Sequence, residues 1–429
     1  MKILEASNEI GGRMKRDKIE NNLYVDKGGQ WVGEDHYNLL KLCKELNLKL
    51  FKTNFKGKGA LIIDENIYYG KLAKNFYKSI CFLNPDEVKI NNKIKKKYFD
   101  LLQKFLKMVK NINIRKPWLT KNSDYLDKLT VKEWLINNNA NIISYFFFNY
   151  LCTLSGTGGY DIWQSSMLDL LYKSKIASQN NNPEKFLIKN CAGQIPKLLA
   201  KDLDIKKNTP VDYIDYSNKN NIIVFSRNKK FNCNYIIIAI PIPLINNITF
   251  YPLLPSIYNL SCAYSPMGSM IKIIIVYENA FWRQNNNSGF FIGGKLNEHF
   301  VDASNEEGIP GILTGFISGN NVVEYSKLSF NKSKNIIIKN LINLWGEKAL
   351  NYKHFKIYNW NNEFWTKGGF TNFRIPGTWT SFKNNWYSNY ENIIWAGTET
   401  SEKWAGYFEG AIISAKKATK QIKLLDKNH

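Results

Sequence analysis

Two segments near opposite ends of the sequence carry residue types suited to holding a nucleotide. Close to the C-terminus, Ile393-Ile394-Trp395-Ala396 runs into Gly397-Thr398-Glu399, and a short loop leads to Trp404-Ala405-Gly406-Tyr407-Phe408-Glu409-Gly410-Ala411. The pattern predicts a strand, a turn and then a helix that buries Ala411, Ala415, Ala418, Ile422 and Leu425 along one stripe. Free N–H groups at the small-residue start of that helix can approach a pyrophosphate, a contact worth roughly 0.3–1 kcal/mol and up to about 2 kcal/mol when partly buried. Taken alone, the segment reads equally well as a glycine-punctuated turn with no ligand. At the other end Glu5 closes a short strand, Lys2 to Ala6, the place where an acidic side chain takes a ribose hydroxyl in dinucleotide-binding sheets. Gly11-Gly12-Arg13 and Asp26-Lys27-Gly28-Gly29-Gln30-Trp31 follow it. Each motif is weak by itself; the ordered set is strong.

A second chemistry sits in the middle of the chain. Ser269-Met270-Ile271-Lys272-Ile273-Ile274-Ile275-Val276 puts one ammonium on a strand face otherwise made of Met270, Ile274 and Val276. Lost hydration disfavours the charged form, so the lysine pKa falls unless a partner compensates. The competing reading is a lysine that snorkels to solvent at a strand edge.

The elements that must position these residues alternate along the chain. An amphipathic helix runs through Leu39, Leu40, Leu42, Cys43 and Leu46, and the segment from about Asn75 to Leu171 is helical in pattern. Within it Phe99, Leu102, Phe105, Leu106 and Val109 recur at helical spacing, and Thr130-Val131-Lys132-Glu133 reads as a capping box. A polar break, Gln179-Asn180-Asn181-Asn182-Pro183, precedes a β-rich stretch with candidate strands at Ile222 to Phe225, Tyr235 to Ile240, Met270 to Tyr277 and Gly311 to Ile317. Helix returns at Ile336 to Trp345 and over the last twenty residues. The interleaving predicts an α/β fold. A Rossmann-like nucleotide-binding domain is assembled from 1–52, 187–262 and 364–429, and an α+β substrate-binding domain from 53–186 and 263–363 is inserted in it.

Composition bounds these readings. The chain has 429 residues, 44% hydrophobic and 14% aromatic, enough for a large core in two or three units. A 22% charged share excludes wholesale disorder. No apolar run reaches bilayer length, nothing at the start reads as a signal peptide, and the chain stops at Leu424-Leu425-Asp426-Lys427-Asn428-His429 without an apolar anchor. A soluble, cytoplasmic protein is expected. The formal charge of +23 comes from 59 Lys+Arg against 36 Asp+Glu and is lysine scattered among asparagines, with short clusters at Lys93 to Lys97 and Arg227 to Lys230. With no nucleic-acid motif, a solvated basic surface is preferred to a polyanion site. Six dispersed cysteines without a CxxC pair and four histidines without ligand spacing predict reduced thiols and no metal.

Further motifs fall between the terminal ones: Ala192-Gly193-Gln194-Ile195-Pro196, Ile238-Ala239-Ile240-Pro241-Ile242-Pro243, Met267-Gly268-Ser269-Met270-Ile271-Lys272 and Ala280-Phe281-Trp282-Arg283. In this order, and over nearly the whole length, the chain resembles the FAD-dependent flavin amine oxidase family, the monoamine oxidases most closely. The resemblance implies an FAD held by Glu5, Gly11, Gly12, Arg13, Gly28, Gly29, Gln30 and Trp31 at one end. Val211, Gly397, Thr398, Glu399, Gly406 and Tyr407 complete that set. It gives Lys272 the role of holding a water against flavin N5 and assisting reoxidation by oxygen. Trp360 and Tyr407 match the aromatic positions beside the flavin that guide a neutral amine, with ordinary core packing as the competing reading for each. The implied reaction takes a hydride from the carbon bearing the amine and gives an imine that water converts to an aldehyde or other carbonyl. Ammonia or an amine leaves, and oxygen becomes hydrogen peroxide. The partners are then a small-molecule amine and oxygen, with a homodimer as one option for assembly.

Three departures from that family follow. Phe370, in Gly368-Gly369-Phe370, stands where monoamine oxidases carry the cysteine bonded to the flavin, so the FAD is expected to be non-covalent. Thr371 stands where they have the second tyrosine of an aromatic pair; Phe370 and Thr371 are therefore assigned to the substrate pocket, and simple aromatic monoamines fit less well. Polyamine or L-amino-acid oxidation is the alternative inside the family. A carboxylate substrate requires an arginine, for which Arg374 is the nearest candidate; polyamines want local acids, and the +23 charge opposes their approach. Finally, the family opens with a strand and a Gly-x-Gly-x-x-Gly turn, whereas Met1 here falls at the second strand, and Gly156-Thr157-Gly158-Gly159 lies in the helical region and is no substitute. A truncated or split gene is the expectation this raises. The reading outside the enzyme class is a non-catalytic remnant acting as a basic binding protein.

Overall fold

The structure is a computed structural model, and it describes every residue except 21, 75, 154–157, 179–181, 384 and 427–429. Gly156 and Thr157 of the mid-chain glycine cluster, Gln179 to Asn181 of the polar break and the last three residues lie outside the described residues.

The site is built on a seven-stranded sheet. Its order is Tyr352–Asn359, Met270–Tyr277, Gly311–Ser318, Glu298–Asp302, Asn287–Gly293, Lys58–Ile63 and Asn66–Lys71. Neighbours are antiparallel except Asn287–Gly293 with Lys58–Ile63, which run parallel. All eight residues of Met270–Tyr277 are buried, which explains why this strand reads as a continuous β-branched run instead of an alternating one. On one face Ile271, Ile273 and Ile275 meet Ile337, Ile338 and Leu341 of the Phe330–Trp345 helix. The other face, with Met270, Ile292 and Phe316, packs against a helical layer from Asn92–Lys110, Val131–Asn137, Ile142–Thr153 and Met167–Ser178. Ile142–Thr153 is apolar almost all round because it is enclosed by its neighbours. The Thr130–Glu133 capping box forms as expected.

The rest of the chain supplies short parallel pairs. Ile3–Leu4 pairs with Ile205–Lys206, and Ile236–Ile238 with Ile393–Trp395. A four-stranded sheet, Lys229–Cys233, Ile222–Ser226, Tyr213–Asp215 and Thr249–Tyr251, lies alongside. The Phe408–Asp426 helix buries Ala418 against Ile394 and Ala396.

Several boundaries differ from expectation. The Lys2 to Ala6 strand contracts to Ile3–Leu4 and the Tyr235 to Ile240 strand to Ile236–Ile238, because each has only a two- or three-residue partner to bond. The helical region from Asn75 is interrupted, its first long helix starting at Asn92. The hairpin of Lys58–Ile63 with Asn66–Lys71 was not foreseen; its turn holds Asp64 and Glu65 at φ 47° and 66°, without a glycine to signal it. All six cysteines are unpaired. No helix among the described residues is long and apolar enough to cross a membrane.

Candidate active site

Lys272 is wholly buried, so it does not snorkel. Its ammonium donates to the Gly28 carbonyl at 2.7 Å and to Gln30 Oε1 at 2.5 Å, and stands 5.8 Å from the centre of the Phe316 ring. Burial pushes its pKa from 10.5 down to about 8, against the opposing pull of Asp26 and Cys191. Asp26 is buried in turn, and burial raises its carboxyl to about 6 despite Lys272 and the N–H groups of Ala192 and Gly193, which donate to it at 3.0 and 2.9 Å. An ammonium has three N–H groups, and two are engaged here.

The glycine run beside Lys272 is dictated by contact. A Cβ on Gly28 would lie 2.0 Å from the Arg13 carbonyl oxygen and 3.1 Å from Trp360 Cζ2; one on Gly29 would lie 2.5 Å from the Phe408 ring. Trp360 is buried, and its Nε1 donates to the Lys27 carbonyl at 2.9 Å, so the indole is fixed against this same loop. Arg13 reaches the far end of the chain. Its guanidinium grips both oxygens of Glu399, with Nη2 to Oε2 at 3.0 Å, and Nη1 donates to the Phe370 carbonyl at 2.9 Å. Thr371 Oγ1 donates to Glu399 Oε1 at 3.0 Å. Burial alone would raise the Glu399 pKa; the Arg13 charge and these hydrogen bonds hold it below the usual carboxylate value. Thr398 Oγ1 donates to the Tyr407 carbonyl at 2.8 Å and accepts from the Gly406 N–H at 2.8 Å. The two terminal motifs therefore meet.

Two glycines in this region have another reason to be glycine. A Cβ on Gly12 (φ 55°) would meet nothing within 4 Å, and on Gly397 (φ 107°) nothing closer than Glu399 Oε2 at 3.7 Å. Bare backbone faces open space at both, next to the Arg13–Glu399 pair. Gly11 by contrast closes a turn in which Met14 N–H donates to its carbonyl. Glu5 accepts from Ser7 N–H at 2.8 Å at the end of the Ile3–Leu4 strand, and Val211 packs under the four-stranded sheet. Neither is bonded to Lys272.

An aromatic wall extends from Lys272. Phe316 lies 5.9 Å from Trp31 and 5.9 Å from Phe370, ring centre to ring centre. His299 is 6.2 Å from Phe316, 5.2 Å from Phe290 and 5.5 Å from Tyr150. Tyr407 borders Trp404 at 5.2 Å and His36 at 5.6 Å. Sequence reasoning missed His299 and Tyr150, since only strand pairing and helix packing bring them here. It also missed Glu409, within Tyr407-Phe408-Glu409-Gly410, whose carboxylate accepts the N–H groups of Asn38 and Leu39 at 3.1 and 2.8 Å. Arg374, offered for a substrate carboxylate, is otherwise employed: its guanidinium stacks on Trp379 at 3.7 Å and donates to the Lys383 carbonyl at 3.2 Å. Trp379 and Lys173 share Asp169 beneath it.

A family model described as flavin containing amine oxidoreductase matches residues 1–423. An L-amino acid dehydrogenase of Synechocystis sp. is 29% identical over 424 residues, 98% of this chain and 89% of that protein. The flavin-containing amine oxidase B of Homo sapiens is 27% identical over 440 residues, 98% of this chain and 81% of that one. Among solved structures, cyclohexylamine oxidase from Brevibacterium oxydans superimposes with a TM-score of 0.88 at 23% identity, covering 99% of this chain and 93% of that one. Putrescine oxidase bound to putrescine gives 0.86 at 22% identity, covering 98% and 93%. The two structures share the fold.

Proposed function

The chain belongs to the flavin-containing amine oxidoreductase family, whose members use FAD, and from that premise we propose that it is an FAD-dependent amine oxidase. It converts an amine to an imine and then an aldehyde, releasing ammonia and hydrogen peroxide. The observation that carries this reading is Lys272: a buried ammonium with a lowered pKa, bonded to Gly28 and Gln30, at the base of an aromatic wall. The division into a nucleotide-binding part (1–52, 187–262, 364–429) and a substrate part (53–186, 263–363) belongs to the same proposal. All seven strands of the large sheet come from the second set.

The residues present fit the cofactor, since bare backbone at Gly12 and Gly397 opens beside a fixed Arg13 cation. FAD, when bound, supplies the two-electron acceptor for the hydride of the amine. Glu5 takes a ribose hydroxyl. Gly11, Gly12, Gly397, Thr398 and Gly406 offer backbone N–H groups or close approach to the pyrophosphate, and Arg13 with Glu399 fixes the loops that carry them. Gly28, Gly29, Gln30 and Trp31 form the floor that locates Lys272. With a phenyl ring at Phe370 and no thiol there, FAD is held without a covalent bond. Lys272 keeps one N–H for a water or oxygen. Tyr407 and Trp360 orient a neutral amine, Phe370 and Thr371 border it, and the apolar wall keeps bulk water out.

Arg374 stacked on Trp379 disfavours an L-amino-acid substrate. The test is the visible spectrum of the purified protein followed by an amine panel. Flavin absorbance that bleaches anaerobically on amine addition and returns with peroxide on aeration is expected. Flavin that bleaches but returns only with another acceptor makes the protein a dehydrogenase, and a colourless protein that takes up no added FAD ends the reading.

A further inference from the structure

The +23 charge is not evenly spread. Between Lys89 and Lys132 the chain carries thirteen Lys and Arg against three Asp, a net +10. One of those acids, Asp127, is buried and accepts from the Ser166 hydroxyl and from the N–H and hydroxyl of Thr380, so it faces inward. None of the thirteen cations forms an ion pair among the described residues. The helix Asn92–Lys110 gathers six of them on one side. It buries Tyr98, Leu101, Leu102, Phe105 and Val109, while Lys93, Lys96, Lys97, Lys104, Lys107 and Lys110 stand exposed on the opposite face, a row about 25 Å long with Asp100 as its one acid. This row works against the helix that carries it. Lys93 meets Lys96 and Lys97, and Lys107 meets Lys104 and Lys110, at the three- and four-residue spacings where like charges repel. The first turn holds Lys93 and no acid, at the end where the helix dipole is positive; only Lys107 and Lys110, in the last turn, suit it. Past Lys110 the chain turns tightly, with Asn113 Oδ1 accepting the N–H groups of Arg115 and Lys116 at 3.2 and 3.0 Å and Asn113 N–H donating to Thr120 Oγ1 at 3.1 Å. The Ser123–Lys128 helix packs on this turn, Ser123 Oγ donating to the Trp118 carbonyl at 2.7 Å. Among these cations Leu119 and Tyr125 are 62% and 60% exposed.

We propose that the outer face of the Asn92–Lys110 helix, with the turn that follows it, docks on an anionic phospholipid surface, the lysine row meeting lipid phosphates and Leu119 and Tyr125 entering the interface. The occupant follows from the mixture of chemistries. A lipid surface offers anionic headgroups and, just beneath them, an apolar layer in which an exposed leucine and a tyrosine are at home. A nucleic-acid backbone would engage the lysines and leave Leu119 without use. Of the thirteen cations only Arg115 carries the guanidinium fork suited to phosphate and base edges. Docking also removes a cost: headgroup anions relieve the lysine–lysine repulsion that the helix bears alone. At physiological ionic strength charges are screened beyond about 8 Å, so this local row decides the contact and the summed charge of the chain does not. The docking is peripheral and independent of the flavin.

The experiment is co-sedimentation of the full chain with vesicles at about 0.15 M salt. Vesicles of phosphatidylcholine mixed equally with phosphatidylglycerol are set against phosphatidylcholine alone. The wild type is expected to partition at least tenfold more strongly onto the mixed vesicles. Replacing Lys93, Lys96, Lys97, Lys104, Lys107 and Lys110 by Gln is expected to remove at least nine-tenths of that binding. A control with the same loss of charge elsewhere, Gln at Lys201, Lys229, Lys230, Lys332, Lys339 and Lys420, should stay within twofold of the wild type. No preference for the mixed vesicles, or equal losses in the two variants, overturns the proposal. Leu119→Ser combined with Tyr125→Ser leaves every lysine in place and is expected to weaken partitioning at least threefold; unchanged partitioning overturns the proposal, and this variant decides it should the six-lysine variant fail to fold. A random-sequence DNA duplex of about 20 base pairs is the competitor. If it binds more tightly than the mixed vesicles and is indifferent to Leu119→Ser with Tyr125→Ser, the face is a nucleic-acid site and the lipid assignment falls.

Discussion

The ammonium of Lys272 donates to the carbonyl of Gly28 at 2.7 Å, across 244 residues of sequence. That bond joins the second strand of the seven-stranded sheet to the glycine run that Arg13 also touches, so the lysine is located by both elements at once. Lys272→Met is expected to keep FAD at wild-type stoichiometry and to slow reoxidation of the reduced enzyme by oxygen at least tenfold in stopped-flow absorbance. An unchanged oxygen reaction removes Lys272 from the mechanism.

The same lysine imposes a pH dependence on stability. Burial holds it at about 8 against 10.5 in the unfolded chain. Between those values the unfolded state binds the proton and the native state does not, so stability rises with pH across this window. Below about 8 both states are protonated, and the native state carries a buried charge. A shift from 10.5 to 8 corresponds to about 3 kcal/mol. The unfolding free energy of the wild type minus that of Lys272→Met is therefore expected to climb by about 2–3 kcal/mol between pH 7.5 and 10.5. A flat difference in denaturant titrations contradicts the assignment. Asp26→Asn removes the opposing negative charge and is expected to move the window lower.

Arg13 and Glu399 should behave as one unit. Glu399 is buried, and removing the guanidinium leaves its carboxylate uncompensated, a loss of about 3 kcal/mol or more. Arg13→Ala is expected to lose that much stability, and adding Glu399→Gln to recover part of it; strict additivity in the double variant rules out the coupling. Because the folded pKa of Glu399 is depressed, its contribution is present above the unfolded value of about 4.5 and lost as pH falls through the folded one. The Arg13→Ala penalty should shrink accordingly in acid.

The nature of the flavin link can be read by acid precipitation. Phe370, at φ 55° with its carbonyl bonded to Arg13, has no thiol to offer. Acid-denatured protein is expected to pellet colourless and leave all flavin in the supernatant. Flavin retained in the pellet denotes a covalent bond formed elsewhere.

Sequence alone disclosed what local chemistry announces. Lys272 stands out as the charged residue in an eight-residue apolar strand, and Gly28-Gly29 because only glycine fits against Arg13 and Phe408. The resemblance assigns Thr371 to the pocket; its hydroxyl donates to Glu399, a bond across the fold that no local pattern announces. His299 was invisible because its relation to Lys272 is set by two successive strand pairings, and no local pattern encodes them. Arg374 looked available because its stacking partner, Trp379, is brought over it by a turn at Gly377 and not by spacing.

Glu409 provides a last test of how the chain ends are joined. The helix Tyr37–Glu45 has no capping side chain of its own at His36 and no acid in its first turn. Its exposed amide groups are met from the far end of the sequence: Glu409 accepts from Asn38 and Leu39 N–H at 3.1 and 2.8 Å and from Asn38 Nδ2 at 2.6 Å. A buried carboxylate at a helix N-terminus satisfies orphan donors and complements the dipole, contributions of about 1 kcal/mol each. Glu409→Ala is expected to cost about 2–3 kcal/mol, since one buried and one half-buried amide are left unpaired. Glu409→Gln should retain roughly half of that, because the amide oxygen still accepts while the charge is gone. Hydrogen exchange gives the local readout: the Asn38 and Leu39 amides should lose protection in Glu409→Ala before the Met270–Tyr277 strand does. Equal loss in both places means that Glu409 supports the whole fold and not this junction.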